Sequence, residues 1–227
     1  MNQKDKNSEK TAPSKSEEST IIPVEENKAV AGKKQQSANE TNDSAQETDK
    51  QTDAKQNGME KNNSHSELEK FFLDALQDIY YAEGKIEESL AKIKQKATSE
   101  ELQEAIEDHE LVTKKQILRL EKVFKLLGEE AKKKKCDAID GILKEVDEMV
   151  KSTKDGSMTR DVAIIIGSQK VEHYEIATYG GLVQIAITLG HEKVADLLET
   201  TLDEEEETDY LLTEIAEEHV NFEAAEE

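Results

Sequence analysis

The chain has 227 residues, with 52 Asp and Glu against 30 Lys and Arg, one Cys, no Trp and two Pro. A single Cys excludes a disulfide-stapled scaffold, and a formal net charge of -22 disfavours contact with a phosphate backbone, so no nucleic-acid partner is expected. No apolar run approaches the ~18 residues of a membrane span; with no apolar stretch behind Met1–Lys6 to act as a secretory signal, the expected compartment is the cytoplasm.

Residues 1–65 are Lys, Glu, Ser, Thr, Asn, Gln and Ala without periodic order, and both prolines, Pro13 and Pro23, lie there. Such a segment cannot bury enough surface to offset the entropy of ordering it, so a disordered polar tail is expected. Its charges nearly cancel, at about 12 acids and about 10 bases. The acidity therefore belongs to residues 66–227, which are expected to form one domain of ordinary size.

From residue 66 onward there is no proline and the apolar spacing is helical. Leu68, Phe72, Ala75, Leu76, Ile79, Ile86, Leu90 and Ile93 follow in steps that share one helix face. Thr98 with Glu101 reads as a capping box opening a second helix. That helix carries Leu102, Ala105, Ile106, Val112, Leu120, Val123 and Leu127, and ends at Gly128. The basic run Lys132–Lys135 reads as a solvated loop, with anion binding as the sharper alternative.

A short helix with Ile139, Ile142, Leu143, Val146 and Val150 on its face comes next. A long helix then runs from about Thr159 or Arg160 to Leu189. It is apolar on more than one side, which predicts the most buried element. After Gly190 a last long helix carries Val194, Leu198, Leu202, Leu212 and Ala216. Four long helices with short turns inside two hairpins and one long connection between them describe an all-α four-helix bundle with a crossover containing a short fifth helix.

Charged residues interrupt these stripes. Glu83 stands between Ile79 and Ile86, and His109 between Ile106 and Val112. Gln169 and Glu172 continue the stripe from Ile165 to Ile176, with Glu175 one turn on. Glu205 stands between Leu202 and Leu212, with Asp209 one turn beyond. An ionised carboxylate inside a bundle costs several kcal/mol unless a counter-charge meets it. No inward Arg or Lys is evident from the spacing, so a divalent cation is the expected partner; carboxylate and imidazole ligands suit iron, manganese or zinc. At ~1.5 Å per residue from the hairpin turns, the candidates fall within about one helical turn of one another. Polar core residues bonded to one another, to Tyr80, Tyr174 or Tyr179 and to buried water are the alternative. His65, His191 and His219 lie near segment ends and read as surface residues, and His173 lies one step off the Glu172 face. There is no nucleophile–base constellation and no phosphate-binding loop.

The strings Phe72–Glu83 (FLDALQDIYYAE), Gln169–Ala177 (QKVEHYEIA) and Glu199–Glu205 (ETTLDEE), with Arg119-Leu120-Glu121 and Cys136, resemble the YciE/YciF family of bacterial ferritin-like proteins over about residues 66–220. The resemblance implies a ferritin-like bundle, a homodimer and a role in bacterial stress tolerance. It implies metal ligation by Glu83, His109, Glu172 and Glu205, with Glu175 as an added carboxylate and iron or manganese as the metal. Di-iron bundles carry a Glu on two helices and Glu-x-x-His on the other two. Here Ile106 stands where the second helix would carry its Glu, Val112 stands where many relatives have one, and Thr208 replaces the histidine of the fourth helix. The alternative function is a non-catalytic acidic structural or interaction bundle that has lost its metal.

Overall fold

The computed structural model describes residues 65–227, and the tail expected over 1–65 lies, apart from His65, outside the described residues. Helix α1 spans Glu67–Ile93, α2 Glu100–Leu127, α3 Asp137–Lys151, α4 Met158–Thr188 and α5 Glu192–Ile215; a π-helical turn, Ala216–Val220, leads from α5 into the short α6, Asn221–Ala225. No strand interrupts this order among the described residues. None of these helices is long and apolar enough to cross a membrane.

Helix ends follow local chemistry. Ser66 opens α1 with a reciprocal capping box to Glu69. Helix α2 is capped by Ser99, one residue later than the spacing predicts, and its hydroxyl accepts from Leu102 N. Thr98 is drawn away from the cap because its hydroxyl donates to Ser157 O. At Gly128 and Gly190 the chain turns left-handed, with φ of 77° at each. Glu129 N donates to Phe124 O at 2.9 Å, and His191 N to Ala186 O at 2.9 Å. Both helices thus end in the paired 6→1 and 5→2 bonds that a glycine at this position permits.

The long helices form two antiparallel hairpins, α1–α2 and α4–α5. Helix α1 packs on α2 and α4, and α5 packs on α4 and α2, closing a four-membered ring of neighbours. Helix α3, in the crossover, lies against α4 and α1. Gly167 allows that approach: a Cβ there would come within 2.8 Å of Val146 Cγ1. Helix α4 is the most buried element, as its apolar breadth predicts. Phe72, Leu76, Ile79, Leu102, Leu120, Ile164, Tyr179 and Leu198 fill the interior, whereas Leu68, the first member of the predicted stripe, stays 39% exposed.

Two polar devices tie together segments distant in sequence. Asp161, fully buried near the start of α4, accepts from Thr98 N and Ser99 N, each at 2.7 Å. One carboxylate thereby satisfies two amides at the mouth of α2. The basic run straps the crossover to α1: Lys134 N donates to Gln77 O at 3.1 Å, and Lys134 Nζ pairs with Asp74 and Asp78. Lys133 Nζ lies 5.4 Å from the Tyr80 ring centroid. The four lysines lie exposed in a loop, as expected, and Lys132, Lys134 and Lys135 are paired with acids of α1, α3 and the loop itself.

Candidate metal centre

Four helices each bring polar donors to one level of the core. Glu83 comes from α1, His109 from α2, Glu172 and Glu175 from α4, and Glu205 from α5, and every one of them is at most 6% exposed. Their ligand atoms fall into two overlapping groups, His109, Glu172 and Glu205 in one, and Glu83, Glu175 and Glu205 in the other; within each group the atoms lie no more than 4.8 Å apart. Glu205 belongs to both. His109 is held between two carboxylates, with Nδ1 3.5 Å from Glu172 Oε1 and Nε2 3.5 Å from Glu205 Oε2.

The electrostatics are one-sided. Burial pushes the carboxyls of Glu83, Glu172 and Glu175 well above the ordinary glutamate range, and the charge on Glu205 pushes each further in the same direction. Asp209 adds to the effect on Glu172. Tyr179, wholly buried, donates to Glu83 Oε1, and its phenol is raised by burial first and by the Glu83 carboxylate next. Without a cation, burial and mutual repulsion favour the protonated form of these carboxyls.

Hydrogen bonding leaves the centre incomplete. Glu83 Oε2, His109 Nε2, Glu172 Oε2, Glu175 Oε1 and Glu205 Oε2 are buried without a hydrogen-bond partner. Unmet buried donors and acceptors are rare in native proteins and cost about 1–3 kcal/mol each. Five of them, one on each candidate ligand, fall on residues that also make up the two close ligand groups, and their oxygen and imidazole donors suit a cation. These buried carboxylate and histidine groups can therefore hold a metal ion. Such an ion would supply Lewis acidity or, if redox-active, one-electron chemistry.

One expectation is corrected. Arg119 of α2 does turn partly inward, with its side chain 15% exposed. It is nonetheless committed to Glu204, which it grips through Nη1 at 2.7 Å and Nη2 at 2.8 Å, while Nη1 also donates to Thr201 Oγ1. Its charge reaches Glu83 only as a smaller stabilising influence. Gln116 is the centre residue that the stripe reading passes over. It is buried two turns after His109, and its amide donates to Glu205 Oε1 and, at 3.1 Å, to Glu204 Oε2. Its seven-residue offset from His109 is the signal that marks it. His173 is exposed and bonds Gln169 O, and His219 is exposed. Gln169 turns to Thr213 Oγ1 at 2.9 Å.

Ile106 and Thr208, at the two positions that depart from the di-iron pattern, line one cavity of about 180 Å³ beside His109. Residues 67–225 match the family described as Domain of unknown function (DUF892). Protein YciF of Escherichia coli (strain K12) is 40% identical over 158 residues, which is 69% of this chain and 95% of that protein. The chain belongs to the YciE/YciF family. The crystal structure of the E. coli stress protein YciF superposes with a TM-score of 0.65 at 39% identity, covering 69% of this chain and 99% of that one. YcfI of Rhodopseudomonas palustris, a candidate structural protein, gives 0.64 at 40% identity over 67% and 96%. Both likenesses fall on the all-α bundle.

Proposed function

We propose that this protein is a ferritin-like metal-binding protein of the bacterial stress response, holding up to two divalent ions, iron or manganese, in the bundle core. His109 and Glu172 take one ion, Glu83 and Glu175 the other, and Glu205 reaches both. The observation that carries this reading is that each of the five buried residues in the two close ligand groups keeps one polar atom without a hydrogen-bond partner. The stress role follows the description of the E. coli relative. The same reading takes the protein as a cytoplasmic homodimer that uses neither nucleic acid nor a membrane. Leu111 and Leu118, exposed and seven residues apart on α2, offer an apolar strip for the second copy, which sedimentation would test.

The test is thermal melting with and without Fe(II), Mn(II) and Zn(II), on the natural protein and on Glu172→Gln. An ion that binds only the folded chain stabilises it by about 2.7 kcal/mol at a hundredfold excess over Kd. Glu172→Gln should lose that gain while the metal-free protein is no less stable, because a neutral amide of the same shape replaces a carboxyl whose ionisation burial disfavours.

The second reading is a non-catalytic acidic structural or interaction bundle without metal. It is favoured by Ile106 and Thr208, which carry no ligand atom suited to the di-iron pattern, and by the Gln116 amide, which partly satisfies Glu205 without an ion. A natural protein that gains nothing from any of the three metals would establish it.

A further inference from the structure

The cavity between α2 and α5 has a direction. Its outer rim carries Asp108 and Glu207, both exposed, and its inner wall is His109, whose buried Nε2 lacks a hydrogen-bond partner. Glu204 also lies on the wall, but Arg119 offsets its charge, so the excess negative charge comes from Asp108 and Glu207; no Lys or Arg lines the space. Small side chains at Ala105, Ser168 and Thr208 leave the passage open. Leu90 and Ser168 also line a smaller space of about 20 Å³ that reaches Glu172. One water needs roughly 10–15 Å³, so the outer cavity of about 180 Å³ has room for an ion with part of its hydration shell, and the inner one for little more than a single water.

The larger groove between α1 and α3 contrasts with it. That groove carries Lys85, Lys92, Lys96 and Lys144 against Glu88, Asp140 and Asp147, and neither ligand group borders it. Excess negative charge on low-dielectric walls concentrates cations and raises their rate of arrival.

We infer that the α2–α5 cavity is the loading port for the metal: a divalent cation is drawn in by Asp108 and Glu207, sheds water along the narrow wall, and is delivered to His109 first. This rests on the metal reading above. It assigns Asp108 and Glu207 a kinetic role and no place among the ligands.

Stopped-flow uptake of Zn(II) by the full chain, with a chromophoric chelator as competitor, separates rate from endpoint. The Asp108→Asn/Glu207→Gln double variant changes only exposed side chains. It should load several-fold more slowly at low ionic strength, on the order of threefold or more, with the difference shrinking as salt is added and with the final metal content unchanged. Ala105→Met, which fills the passage without changing charge, should slow loading at every ionic strength to the same endpoint. If both variants load at the natural rate, the port is refuted while the metal site stands. If the double variant loses metal at equilibrium, Asp108 and Glu207 are ligands and the port is likewise refuted. If the natural protein takes up no Zn(II), the metal reading falls and the port with it.

Discussion

His109 Nε2 and Glu205 Oε2 face each other 3.5 Å apart in the bundle core, and neither has a hydrogen-bond partner. An imidazole and a carboxylate this close would normally close a hydrogen bond. With the ring proton on Nδ1, on the side of Glu172 Oε1, Nε2 and Glu205 Oε2 would be two donors to one cation. Because Glu205 also joins Glu83 and Glu175, it is the residue on which the two candidate ion positions depend.

That dependence orders the effects of single substitutions. Glu205→Gln should reduce bound metal more than any other change at the centre, since both groups lose a donor. Glu175→Gln should remove one ion and leave the His109 group able to bind the other. Elemental analysis of metal per chain, on proteins purified without chelators and then loaded with Mn(II), checks the order. Equal losses from the two variants would contradict the shared role of Glu205.

Stability of the metal-free protein should fall as pH rises. Glu83, Glu172 and Glu175 are raised above their usual value of 4.5 in the folded chain. Above about 4.5 the unfolded chain has released these protons and the folded chain has not. The folded state therefore binds more protons, and the contribution, complete below that pH, is lost as pH climbs through the raised folded values. Urea denaturation at a series of pH values rising from about 5 should show the decline. Saturating Mn(II) should oppose it, because ligation needs the deprotonated carboxylates and strengthens as protons leave.

Asp161→Ala should destabilise the bundle by about 2–3 kcal/mol, because Thr98 N and Ser99 N lose a shared buried acceptor. Asp161→Asn, which keeps one carbonyl oxygen, should cost less. Equilibrium urea unfolding checks both, and a loss below about 0.5 kcal/mol for the alanine variant would mean that water replaces the carboxylate without penalty.

Deletion of residues 1–64 should leave the melting temperature within a degree or two, because residues 65–227 carry a continuous core of their own and changes that touch no such core are usually worth under about 0.5 kcal/mol. Differential scanning calorimetry of the shortened and full chains makes the comparison. A large drop would place part of the core's support in the first 64 residues.

The amino-acid sequence by itself determined the helices, their order and most of the side chains that face inward. Apolar spacing of three and four is a property of one helix at a time, and Gly128 and Gly190 mark their ends through a backbone conformation that glycine alone adopts freely. The same spacing was enough to turn Glu83, His109, Glu172, Glu175 and Glu205 toward the interior. Tertiary structure decided everything that requires two helices at once. Whether Arg119 would neutralise the core or spend its charge on Glu204 depends on the register of α2 against α5, which single-helix periodicity does not contain. The cap of α2 moved from Thr98 to Ser99 because Ser157 and Asp161, some sixty residues on, take up the groups of that turn. The division of five ligands into two groups sharing Glu205 is likewise a matter of depth and rotation among four helices, where an ångström of register decides which oxygen meets which nitrogen.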